Sequence, residues 1–228
     1  MIPYKLTRSR RKTVAIHITK DAFVEVRAPL KMPKAEIEKL VMEKEKWIEN
    51  NLKRRKQINE NKSVFKLTYG GIAMICGKMH PIQAKEGTRA GFDGDYFYMP
   101  PNLTPDEIKN ALIQIYKTAA KRIINEKVTK YAKYMNVTPT GIKITGAKTR
   151  WGSCSGKNSI NFSWRLVMAD ENVIDYVVVH ELSHIKEHNH SQRFWKTVEK
   201  VLPDYKQRQL KLKLLHKKLS NENWDENK

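Results

Sequence analysis

Residues 180–190 read HELSHIKEHNH, which places four histidines in eleven positions of a 228-residue chain that has seven in all. How this stretch is read decides the fold around it. His180, Glu181 and His184 make H-E-x-x-H. In an α-helix, residues four apart differ by about 40° around the axis and by about 6 Å along it, so both imidazoles lean toward one point. A zinc ion needs two nitrogen donors placed in that way. Glu181 lies on the neighbouring face, from which its carboxylate reaches a water on the ion without being a ligand itself.

The flanking residues weigh against an accident of composition. NVIDYVVV (172–179) is apolar nearly all round, which predicts a helix already buried where the motif begins. Two imidazoles and a carboxylate in such a helix are costly unless something pairs with them, and a metal ion does so directly. Three residues compete for third ligand. His188 would stand about 12 Å above His180 on a continuous helix, too far for an ion that holds its donors at about 2 Å. His190 reaches back if the chain leaves the helix, and Asn189 is suited to that reversal because asparagine tolerates the left-handed conformation. Glu199, on the next helix, is the acidic alternative. His190 is preferred, Glu199 stays open, and His188 reads as a solvent-side residue. Three protein ligands and an open fourth position make a catalytic zinc site, with Glu181 as general base.

The 180–184–190 spacing equals that of the metzincins, yet Glu187 stands where they carry glycine, and no methionine follows Met168 to build their Met-turn. His17, His80 and His216 lie in a strand, before a proline and in a basic helix, and read as structural.

Outward from the motif, Asp170 and Glu171 open its helix, Ser191 caps QRFWKTVEKVL, and Pro203 starts a last helix through Leu219. The tail SNENWDENK reads as frayed. Upstream, GIKITGAKTRWGSCS and SINFSW predict strands, and Thr104 with Pro105 caps a helix running to about Met135. Before it, TVAIHITK, AFVEVRAP and the block from Phe65 to Met99 are strand-like, while Met32 to about Asn61 has helical periodicity. The fold class is α+β: a strand-rich N-terminal half (1–100, with one charged helix) and a helical C-terminal half (101–228) carrying the metal site.

Composition narrows the remaining choices. No stretch is apolar enough to span a membrane, and no signal peptide is visible behind MIPYKLTRSRRK. Cys76 and Cys154 form no paired motif, so no disulfide partner is expected and the cytoplasm is the expected location. The net charge of +20 comes from 32 lysines and 12 arginines spread along the chain. That spread fits a composition bias better than one polyanion site, although nucleic acid stays a candidate partner. KQRQLKLKLLHKKL (206–219) is expected to pack through its leucines.

TRWGSCS (149–155), INF, RLVMA, IDYVVVHELSHIKEHNHSQRFW and LPDYKQR occur in an order that closely resembles the YgjP-like metallopeptidase family, a relative of the WLM and SprT-like zincin proteases. The match is strongest from Gly141 to Leu210 and weaker through SRRKTVAIHI, VRAP and the helix around Trp47. The resemblance implies a zincin-like C-terminal half, one zinc on His180, His184 and His190, and Glu181 as the catalytic residue. It also implies that Arg150, Trp151, Gly152, Ser153 and Cys154 lie near the site. Arg150, Trp151, Arg165 and Tyr205 are candidate substrate or oxyanion contacts, alongside Tyr176, Arg193 and Arg208.

The leading expectation is a zinc-dependent hydrolase of peptide bonds, with peptides or proteins as partners. One alternative keeps the metal and takes phosphoanhydrides or phosphoesters such as nucleotides. The other is a nucleic-acid-binding protein with a structural metal. These alternatives differ in whether Glu181 matters and in how steeply binding falls with salt.

Overall fold

The computed structural model describes residues 2–224, apart from the side chains of 62–64. The chain forms two compact units, one reaching to Phe65 with Ser220–Asn223, the other Lys66–Leu219 with Trp224. The units divide at Phe65, whereas the boundary drawn near residue 100 follows the change from strands to helices. Strands lie mainly in the N-terminal half and helices in the C-terminal half.

The first unit has strands β1 (Tyr4–Ser9), β2 (Ala15–Ile18) and β3 (Val24–Pro29), followed by helices α1 (Lys34–Glu43) and α2 (Glu45–Val64). The central strand β3 pairs parallel with β1 and antiparallel with β2. Its alternation turns Val24, Val26 and Ala28 inward onto Ile37, Val41 and Ile48. The single helix expected from Met32 to Asn61 is two. The ladder breaks at Lys44, whose N–H bonds back to the Val41 carbonyl in a tight turn.

The second unit opens with β4 (Ile72–Ile75), β5 (Lys78–Ala84), β6 (Gly91–Phe92) and β7 (Phe97–Met99), in the sheet order β4-β5-β7-β6. Helix α3 (Pro105–Met135) follows. It starts in a capping box, in which the Thr104 side chain accepts from the Glu107 N–H and the Glu107 carboxylate accepts from the Thr104 N–H, and it ends on left-handed Asn136. A second sheet holds β8 (Gly141–Thr145), β9 (Gly152–Cys154) and β10 (Ser159–Ser163), with β10 in the middle and β9 at an edge. A 3₁₀ turn (Trp164–Met168) then leads to α4 (Glu171–Ser183), α5 (Gln192–Val201) and α6 (Tyr205–Ser220).

The core of this unit gathers around α3 and the 3₁₀ turn. Tyr116 stacks on Trp164 at 5.9 Å, and Trp224 meets both rings edge-on. Trp224 is only 5% exposed, so the tail is anchored here instead of frayed, and residues 225–228 lie outside the described residues. Helix α4 is buried on most sides, as its valine run predicts. Asp175 on α4 binds Lys127 of α3 at 2.8 Å and lies 3.9 Å from Arg208 of α6, which fixes the helix between its neighbours. The expectation that α6 packs through its leucines holds in part: Leu219 is buried and Leu212 and Leu215 are half-buried, whereas Leu210 and Leu214 are 61% and 68% exposed. Buried Tyr205 and the ion pairs of Arg208 with Asp175 and of Lys211 with Asp170 add to what holds the helix. No described helix is long and apolar enough to cross a membrane.

Candidate metal centre

Helix α4 delivers His180 and Glu181 from its last turn and stops at Ser183, earlier than the motif suggests. His184 is already the C-cap. The N–H groups of Ile185, Lys186 and Glu187 bond back to the Leu182 and Ser183 carbonyls and turn the chain. The expected reversal at a left-handed Asn189 does not occur, because no positive φ is found there. Asn189 instead accepts the Ser191 N–H on its side-chain oxygen at 3.1 Å. Ser191 then caps α5 by accepting the Phe194 N–H. The chain reverses because the helix ends early and two short polar side chains close the next two turns.

This reversal brings together His180, His184 and His190. One donor atom from each lies within 4.8 Å of the others, and among the described residues this is the one such group of three histidine, cysteine or acidic side chains. His188 and Glu199 are exposed and outside it. The Nε2 atoms of His180 and His190 face each other at 3.1 Å. Two nitrogens bound to one tetrahedral zinc at 2.0–2.1 Å would stand about 3.3 Å apart, so the donor set fits the ion.

The electrostatics suit the same occupant. Burial, with His184 and His190 adjacent, lowers the pKa of His180 to about 3, so its ring is neutral and its lone pair available. Burial likewise lowers that of His184, whose Nδ1–H donates to the Glu187 carbonyl at 3.1 Å and leaves Nε2 free to coordinate. The Nδ1 of His180 is buried without a hydrogen-bond partner among the described residues. Glu181 is 5% exposed, and desolvation pushes its carboxyl up to about 8.

Strand β9 forms the wall opposite Glu181. At Gly152 it comes so near that a Cβ would stand 2.5 Å from Oε1 of Glu181. Cys154, two residues on, has its thiol pushed up by burial and by the Glu181 charge, so it is poorly suited to act as a nucleophile. Among the described residues the other side of β9 has no partner strand.

The remaining sequence candidates are scattered. Arg150 is exposed in the loop before β9. Trp151 sits 6.1 Å from the ring of His216. Arg165 is committed inside the fold, where it donates to the Gly146 and Trp224 carbonyls and lies over the Trp164 ring. Arg208 is tied to Asp204 and the Asn172 carbonyl. Tyr176 lies 5.8 Å from His180 ring to ring, its hydroxyl pushed up to about 12 by burial. Sequence reasoning missed Phe194, whose fully buried ring contacts all three histidines at 4.5–4.9 Å, and Trp195, which links His190 to Tyr205. The available signal was their place one turn behind the Ser191 cap.

The chain matches the family model "YgjP-like, metallopeptidase domain" over residues 12–214. Among solved structures it is similar to the metallopeptidase zymogen of Pyrococcus abyssi abylysin, at 22% identity and a TM-score of 0.38, covering 43% of this chain and 97% of that one. No curated protein matches it.

Proposed function

This chain belongs to the YgjP-like metallopeptidase family, and we propose that it is a zinc-dependent peptidase in which His180, His184 and His190 hold the ion and Glu181 is the general base. The observation that carries this reading is the convergence of three histidine nitrogens within 4.8 Å beside a buried carboxyl. A zinc ion held there supplies Lewis-acid activation of a carbonyl and of water.

The chain's own residues account for the rest. Glu181 sits in a dry pocket that favours its protonated form, so once ionised it is a strong proton acceptor and can pass that proton to a leaving amine. Gly152 keeps the strand backbone against that carboxylate. The edge of β9, unpaired among the described residues, offers main-chain donors and acceptors to an extended peptide, a mode of binding that reads backbone before side chains. Phe194 closes the face behind the histidines to water.

The test has two arms. Protein purified without chelator should hold about one zinc per chain, largely lost in His190→Ala. Wild type should cleave an unfolded protein substrate, while Glu181→Gln keeps zinc and loses cleavage. Unchanged zinc in His190→Ala would remove that residue from the ligand set, and full cleavage by Glu181→Gln would remove the base.

A further inference from the structure

The three histidines are held in different ways. His180 is carried by a buried helix, and His184 is oriented by the hydrogen bond from its Nδ1 to the Glu187 carbonyl. His190 is exposed, on the segment between the turn and α5, and among the described residues its one hydrogen-bond contact is the Nε2 of His180. A histidine that ligates a metal is normally oriented by an outer hydrogen bond from its second nitrogen to a carboxylate, carbonyl or water. For His190 aromatic rings stand in that place. Trp195 stacks on it at 5.8 Å and 26°, and Tyr205 stacks on Trp195 at 5.4 Å and 19°. Phe194 meets both His190 and Trp195 edge-on from the core. The near-parallel series His190–Trp195–Tyr205 thus runs from an exposed loop to the buried start of α6.

We propose that Trp195 is a positioning residue that orients the third metal ligand by stacking, in place of the usual hydrogen-bonded partner. The inference rests on the reading of His190 as a ligand. Helix α5 fixes the indole, with Phe194 and Val198 buried on either side of it in sequence. Tyr205 prevents the indole from swinging away. The imidazole plane is thereby set before an ion arrives, which lowers the ordering entropy that a loop ligand must otherwise lose on binding.

Zinc affinity of the metal-stripped full-length protein, measured by competition with a chromophoric chelator, tests this. Trp195→Leu should weaken zinc binding by about 10-fold or more, the range seen when outer partners of metal ligands are removed. Trp195→Phe, which keeps a stacking ring, should recover affinity to within about threefold of wild type. Zinc should also alter the tryptophan emission of wild type, a change missing from Trp195→Phe although the other four tryptophans remain. Thermal melts of the stripped variants identify any that fail to fold, and Tyr205→Leu, expected to weaken binding through the same stack, provides the second variant. Wild-type affinity in folded Trp195→Leu, with His190→Ala weak, would overturn the role of Trp195 alone. Equal affinity in His190→Ala and wild type would overturn the ligand reading and this inference with it. Equal weakening in Trp195→Leu and Trp195→Phe would show that indole shape, not stacking, matters.

Discussion

Gly152→Ala should silence hydrolysis and leave the metal in place. The added Cβ would stand 2.5 Å from Oε1, 2.6 Å from Cγ and 2.7 Å from Cδ of Glu181. Carbon atoms pack at about 3.5–4.0 Å, so the two groups must separate by roughly 1 Å. The strand cannot easily retreat, because β9 is registered on β10 through Phe162↔Gly152, Asn161↔Ser153 and Ile160↔Cys154. Most of the movement therefore falls on the carboxyl. A displacement of about 1 Å at a catalytic group costs about 10²-fold in rate, or about 2.7 kcal/mol in the barrier. The three atoms nearest to the new methyl all belong to Glu181, so the tightest clash falls on its side chain and not on a histidine. The assay pairs zinc content with steady-state cleavage of a fluorogenic peptide, beside Glu181→Gln. Zinc at the wild-type level with kcat reduced about 10²-fold is the expected result. Cleavage within about threefold of wild type would refute the steric argument, and loss of zinc would show that the strand itself had moved.

Two further outcomes are expected. In chelated protein, Glu181 has a folded pKa of about 8 against an ordinary 4.5, so its protonated form stabilises the fold fully below pH 4.5 and that contribution is lost as pH rises through 8. Urea unfolding of Glu181→Gln against wild type from pH 4.5 to 8 should therefore swing in favour of the variant, by up to about 5 kcal/mol, and a pH-independent difference would contradict the burial argument. Trp224→Ala should cost about 3–5 kcal/mol in the same assay, the usual loss for a buried tryptophan, and a cost under about 1 kcal/mol would mean that the C-terminal anchor is dispensable.

The elements that sequence reasoning placed well are those with local signals. The Thr104 cap with Pro105 behind it, the Ser191 cap and the valine run of α4 each state their role within a few residues, and each is found there. What it misplaced depends on partners distant in the chain. Leucines at helical spacing in α6 suggested a packed face, and Leu219 is buried there, yet Leu210 and Leu214 stay exposed and ion pairs to Asp170 and Asp175 add to what holds that helix. A polar tail suggested fraying, yet Trp224 finds Tyr116 and Trp164. Arg165 looked free to meet a substrate because its acceptors, two backbone carbonyls 19 and 59 residues away, leave no mark in local sequence. Gly152 was placed near the site only through the family resemblance, since no local pattern tells which side chain a strand backbone will touch.

The centre itself shows the same division. His180 and Glu181 follow from helix geometry alone, so both were legible in residues 180–184. The proposed third ligand depends on where the helix stops, and helix ends are set by which acceptors the turn residues find. With the helix extended past His184, His190 would need Asn189 to reverse the chain by itself; with the helix ended at Ser183, an ordinary turn and two side-chain caps suffice. The same early end takes His190 off a rigid element and leaves it exposed, so its orientation must come from rings on α5 and α6. A catalytic constellation is only as precise as its least supported member. In the proposed centre that member is His190, and if it is a ligand, variation in metal affinity should concentrate on the stack behind it and not on the H-E-x-x-H helix.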